Sequence, residues 1–160
     1  KTPDGKEVGI GEDVIADNLR MILEDSQQLS SEDAAENAVA VLTSGHRDTW
    51  AEQRQRLASI DACNAESLAI MDSAMFVLCL DDNSPATPAE MAANVLHGTS
   101  VVQGGVQTGT CMNRWFDKTM QFVVSQNGAA GINFEHSIVD GHSVLRFASD
   151  VYTDTILRFA

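Results

Sequence analysis

The chain has 160 residues, 44% hydrophobic and 21% charged, with no apolar run long enough to cross a bilayer; this is the size of one domain that can bury its own core, and no membrane span is expected. Ten Lys and Arg against twenty-three Asp and Glu give a formal charge of −13, which repels phosphate backbones and argues against a nucleic-acid partner. Cys63, Cys79 and Cys111 lack any CxxC spacing, so a reducing, intracellular compartment is expected and no metal site, with cytoplasm, mitochondrion and peroxisome left open.

In chain order, Thr2 to Gly5 reads as a turn, after which Ile15, Leu19, Ile22 and Leu23 recur at helical spacing behind Glu12 and Asp13. This predicts a helix from Glu12 to Gln28. Leu29 to Asn37 is polar and reads as a loop or a frayed helical turn. Val39-Ala40-Val41-Leu42 is a short apolar run, which predicts a strand buried on both faces. Helices are expected over Arg47 to Ser59, with Glu52 and Arg56 paired at four residues, and over Asn64 to Ser73.

Met75 to Leu80 predicts another buried strand, stopped at Asp81-Asp82-Asn83-Ser84-Pro85. Thr87-Pro88-Ala89-Glu90 has capping-box spacing with proline at the first helical position, so a helix should run from Pro88 to His97. The glycine-rich stretch Gly98 to Cys111 reads as a loop, and Gly104-Gly105 has no following Gly-Lys-Ser/Thr for a phosphate loop. Lys118 to Ser125 and Gly131 to Glu135 alternate as strands around the turn Gln126-Asn127-Gly128. Asp140 caps a last helix in which Val144, Phe147, Ala148, Val151 and Thr155 follow the 3.6 period. Helices alternating with short strands and ending in a hairpin indicate an α/β fold, a mixed sheet with packed helices, with α+β as the near alternative.

On a regular second hairpin strand, Ile132, Phe134 and His136 share one face, so His136 leaves on the apolar side, four residues before Asp140. An imidazole titrates near pH 6.5 (about; an unperturbed value) and can take a proton from a hydroxyl or thiol and return it. A carboxylate at the other ring nitrogen fixes the tautomer and stabilises the imidazolium. Gly141 leaves room for a substrate to approach the turn. The competing reading is a core histidine bonded to a backbone carbonyl, with Asp140 serving only as a helix cap.

Other candidates are weaker. Arg114 and Lys118 are expected to anchor a strand end through surface pairs with Asp117. His46 and His97 sit beside glycine or at element ends and are expected to satisfy backbone groups. His142 with Asp140 lacks a third ligand for zinc or iron at any metal-like spacing. No Lys or Arg occurs between Arg56 and Arg114, and no basic cluster is available to grip a polyphosphate.

The segment Asn113-Arg114-Trp115-Phe116-Asp117-Lys118-Thr119-Met120-Gln121-Phe122, followed by strand, glycine turn and a strand ending in Glu135-His136, resembles a characteristic stretch of the choline/carnitine acyltransferase family. The runs Val41 to Ala51, Phe76 to Asp81 and Leu96-His97-Gly98 share in the resemblance. The segment 113–118 sets the chain apart from other acyltransferases with a His-x-x-x-Asp-Gly motif. The loop Gly98 to Met112 is longer than in animal members.

The resemblance implies a chloramphenicol-acetyltransferase-like acyltransferase domain. It further implies reversible transfer of a short acyl group, most plausibly acetyl, between coenzyme A and the hydroxyl of carnitine, with choline as the alternative acceptor. His136 falls on the family's catalytic histidine and Asp140 on its acidic position. Acyl-coenzyme A is then a substrate and not a bound cofactor. On the same resemblance the chain is a single segment, the later part of the first domain of a two-domain enzyme. The second domain would supply the coenzyme A site, and the segment alone is expected to be inactive.

Overall fold

Residues 9–159 are described by a computed structural model of the chain, so the turn expected at Thr2 to Gly5 lies outside the described residues. Two acidic residues in its first turn favour helix α1, Glu12–Ser26, and a short α2, Ser31–Glu36, follows where Ser30 accepts from the Asp33 amide.

The strand expected at Val39 to Leu42 is instead a 3₁₀ helix, Val39–Ser44. The Thr43 and Ser44 hydroxyls donate to the carbonyls of Ala40 (2.6 Å) and Val41 (2.7 Å), closing tight turns that compete with a ladder. Val41 and Leu42 remain solvent-exposed, and Thr43 is the buried residue of the turn.

Helix α3 spans Arg47–Ile60 and α4 spans Ala62–Ser73; Asp61 between them accepts from the Cys63 amide and starts the second. Among the described residues no ion pair joins Glu52 to Arg56; Arg54 pairs across the helices with Asp72 instead (2.5 Å). Strand β1, Val77–Asp81, leads to α5, Pro88–His97, whose capping box is complete: Thr87 accepts from the Glu90 amide, and the Glu90 carboxylate accepts from the Thr87 amide.

The glycine-rich stretch is not a plain loop. It holds a hairpin of β2, Val101–Gln103, and β3, Val106–Thr108, in which Gln103 faces Val106. Gly104 and Gly105 form the two-residue turn with φ of 60° and 86°, a left-handed pair that glycine adopts without a Cβ penalty and that matches the strand twist.

A 3₁₀ turn, Thr110–Asn113, leads to β4, Met120–Ser125, and β5, Ala130–Phe134, before the final helix α6, Gly141–Phe159. The main sheet has the order β1-β4-β5, with β1 parallel and β5 antiparallel to the central β4. It is the mixed sheet with packed helices that an α/β reading predicts.

The two faces of this sheet differ. Register aligns Val77, Gln121 and Asn133, then Cys79, Val123 and Gly131, and then Asp81 with Ser125, on the face that carries α5. Cys79, Asp81, Gln121, Val123 and Ser125 on that face are buried, and three of them are polar. Leu78, Phe122 and Ile132, with Leu80, Val124, Met120 and Phe134, form the apolar face. Phe122 meets Phe76 edge-on (centroids 5.0 Å) and Phe147 of α6 (5.9 Å), and Leu19 and Leu23 of α1 approach Leu78 and Leu80 across a cleft. Leu78 stays 38% exposed.

Candidate active site

The β4–β5 hairpin determines where His136 emerges. Its ladder ends with Met120 opposite Phe134, and the Glu135 amide extends it by donating to the Thr119 carbonyl (3.1 Å). Alternation along β5 puts Ile132 and Phe134 on the apolar face, and the His136 ring lies 5.8 Å from that of Phe134 at an interplanar angle of 37°. The imidazole is exposed.

Beyond it the chain turns through Ser137 to Val139 into α6, where Asp140 Oδ1 accepts from the Ser143 amide (2.8 Å) as the helix cap. The expected cap is therefore present. Among the described residues no hydrogen bond or ion pair within 4.0 Å joins His136 to Asp140. The Asp140 carboxyl is held below its usual range chiefly by the Ser143 amide and hydroxyl, with a smaller contribution from His136.

A second carboxylate, not singled out from the sequence, directly precedes the histidine in the chain. Glu135 Oε2 accepts from the Ser137 amide (2.9 Å) and from the Ser137 hydroxyl, so the carboxylate straddles His136 and closes a small turn around it. These bonds from Ser137, hydroxyl first and amide second, hold the Glu135 carboxyl below the usual range, and smaller contributions come from His136 and Arg47. The arrangement is an exposed imidazole at the end of a strand, with one carboxylate before it and one after it in the chain, both held below the usual range.

Arg114 and Lys118 are placed otherwise than expected. Arg114 is 0% exposed and forks onto Asp81, Nη1 to Oδ1 at 2.9 Å and Nη2 to Oδ2 at 2.7 Å. Its Nη2 also donates to the Asn94 carbonyl (2.9 Å), while its Nε has no partner among the described residues. Asn94 completes the cluster by donating to Asp81 and Ser125 and accepting from Asn83 and Thr110. Neighbouring Cys79 is buried, and burial pushes its thiol pKa up, although Arg114 opposes this. Lys118 Nζ donates to the carbonyls of Asp72 (3.1 Å) and Ala74 (2.7 Å) at the end of α4, where a cation suits the helix dipole.

Asp117, the partner expected for both, is held by Arg47 (2.5 Å) and the Trp50 indole N–H. The polar side chains at 114, 117 and 118 thus bind protein groups. Sequence reasoning missed this because their partners lie tens of residues away.

His46 accepts from the Asp48 amide with Nδ1 (3.3 Å), and His97 Nδ1 lies 2.7 Å from the Gly98 carbonyl, so both engage backbone groups as expected. His142 is exposed at the start of α6, and among the described residues no three His, Cys, Asp or Glu side chains converge as metal ligands. No helix among those residues is long and apolar enough to cross a membrane.

Residues 3–157 match the family model described as Choline/Carnitine o-acyltransferase. A Saccharomyces cerevisiae protein provisionally named mitochondrial carnitine O-acetyltransferase is 44% identical, over 89% of this chain and 22% of its own length. The mitochondrial carnitine O-palmitoyltransferase 2 of Homo sapiens is 42% identical over 86% of this chain and 18% of its own length. The carnitine O-acetyltransferase of Mus musculus is 34% identical over 76% and 19%. The chain spans about a fifth of the length of the curated relatives it matches.

Proposed function

The chain belongs to the choline/carnitine O-acyltransferase family, and from that premise we propose that it carries the general base, His136, of a reversible acyl transfer between coenzyme A and carnitine. The observation that carries the reading is the exposed imidazole at the end of β5, four residues before the capping carboxylate of Asp140. In the forward direction His136 takes the proton of the carnitine hydroxyl as its oxygen attacks the thioester carbonyl. The C–S bond then breaks and the imidazolium returns the proton to the coenzyme A sulfur. Asp140 and Glu135 stabilise the imidazolium by charge.

The acyl group proposed is short, acetyl first, in line with the name of the yeast relative. A second reading, transfer of a long acyl chain, draws on the higher identity to the human palmitoyltransferase than to the mouse acetyltransferase. We place the chain in the later part of the histidine-bearing first domain of a two-domain, chloramphenicol-acetyltransferase-like enzyme. The partner domain would supply the coenzyme A and carnitine pockets, because the described residues offer no basic cluster for a polyphosphate. The segment by itself should then be inactive.

The test is His136→Ala in the full-length enzyme, following free thiol released from acyl-coenzyme A in the presence of carnitine. Loss of a general base should cost roughly 100-fold or more in kcat; activity within about tenfold of wild type would sink the reading. Running acetyl- against palmitoyl-coenzyme A, and carnitine against choline, assigns chain length and alcohol from the ratios of kcat/KM.

A further inference from the structure

The last turn of α5 leaves carbonyls that a helix cannot satisfy internally. Arg114 reaches the Asn94 carbonyl, and the side-chain amide of Asn133, on β5, donates to the next two: Val95 at 3.0 Å and Leu96 at 2.8 Å. Asn133 lies on the α5 face of the strand, whereas Phe134 begins the alternation that leads to His136 on the other.

Two residues earlier, Gly131 lets the helix sit directly on the strand: a Cβ there would lie 2.5 Å from the Val95 side chain. Close approach at Gly131 and a two-pronged bond at Asn133 therefore join the end of α5 to β5. That helix end is itself fixed by Asn94 and Arg114 to the buried Asp81 cluster. His136 stands three residues beyond this junction, at the end of the strand, where a small tilt of β5 translates into a displacement of the ring.

Resting on the assignment of His136 as base, we infer that Asn133 is a positioning residue for it. Its amide locks β5 to the end of α5 and thereby sets where the imidazole stands relative to the two reacting substrates. Asn133 touches neither substrate in this account, so its loss should appear in kcat and leave substrate affinity alone. A misplacement near 1 Å is enough for a large rate effect, on the order of 10²-fold.

The experiment compares four full-length enzymes: wild type, Asn133→Ala, Thr87→Ala and His136→Ala. Thr87→Ala removes the cap at the opposite end of α5 and controls for loosening the helix in general. Asn133→Ala is expected to lower kcat about 10-fold or more, with both Michaelis constants within about twofold. Thr87→Ala should keep kcat within about twofold despite an equal or larger fall in Tm. Asn133→Gln, which keeps the amide donor, should recover most of the lost rate.

A kcat for Asn133→Ala within about twofold of wild type, or an equal kcat loss in Thr87→Ala, overturns the inference. So does an Asn133→Gln enzyme as slow as Asn133→Ala. If Asn133→Ala does not fold, the isosteric but donorless Asn133→Asp takes its place in the same comparison. His136→Ala separates the two levels: if it retains activity the assignment of the base fails, whereas a dead His136→Ala beside an unaffected Asn133→Ala defeats only the positioning role.

Discussion

Two six-residue stretches, 113–118 and 135–140, make opposite use of their polar groups. In the first, Arg114, Asp117 and Lys118 are all bound to groups distant in sequence, and Arg114 and Lys118 are buried. Backbone amides join in: Trp115 donates to Gln121 and Phe116 to Thr43, and the Trp115 ring stands edge-on to Trp50 at 5.9 Å. In the second, the side-chain bonds are local, Glu135 to Ser137 and Asp140 to Ser143, and His136 is left exposed. The stretch with the more distinctive sequence is the one with least chemistry to offer, because its composition is dictated by mutual burial. The plainer stretch leaves its imidazole exposed.

The contrast can be broken most decisively at Arg114. Arg114→Ala leaves Asp81 charged, buried and without its fork, and should cost about 3–5 kcal/mol; chemical unfolding that reports less than about 1 kcal/mol would mean the cluster is not the anchor its geometry indicates. Lys118→Met comes next, removing a donor from two carbonyls at the end of α4, with an expected loss of about 1–3 kcal/mol by the same measurement.

His136→Ala should change unfolding free energy by no more than about 0.5 kcal/mol, since the side chain lost is exposed and makes no hydrogen bond among the described residues. A stability loss as large as that of Lys118→Met would return His136 to the role of a structural histidine.

The smallest effect concerns pH. The carboxyls of Glu135 and Asp140 are held low in the folded chain, so each stabilises the fold above its unfolded pKa. That contribution fades as pH falls through the lower, folded value. On acidification below about pH 4, Tm of the wild type should fall slightly faster than that of a Glu135→Gln, Asp140→Asn double variant. Parallel curves would show that these local bonds do not differ between the folded and unfolded chain.

Local signals in the sequence were reliable where local physics decides. The capping box at Thr87 and Glu90 gave α5 its bounds, Asp140 its role as cap, and alternation the β4–β5 hairpin. Val39 to Leu42 misled because apolar composition outweighed the two hydroxyls that follow and bond back three residues. The β2–β3 hairpin was visible in principle as Val-Val-Gln-Gly-Gly-Val-Gln-Thr, but four glycines in one stretch favoured a loop. In the sequence Arg114 and Lys118 read as surface charges because isolated basic residues seldom bury. Their partners at Asp81, Asp72 and Ala74 become neighbours only when the sheet and helices assemble. For the candidate site, His136 and Asp140 stand out in the sequence by their spacing, whereas the Glu135 bond to Ser137 and the Asn133 tie to α5 depend on backbone geometry that no spacing encodes.

The central strand β4 has two very different neighbours in time. On one side it meets β5 across a tight turn, with Ser125 and Ala129 already hydrogen-bonded at its base (2.8 Å). On the other it meets β1 only after a crossover that includes α5 and the β2–β3 hairpin. Hairpins close in roughly 1–10 μs, whereas long-range parallel pairing waits on loop closure. The strand that presents His136 can therefore form early, and the Asp81–Arg114 fork, which needs β1 in place, forms late. Weakening that late fork should act mainly by speeding unfolding, so the buried cluster governs how long the site persists once assembled more than how quickly it is made.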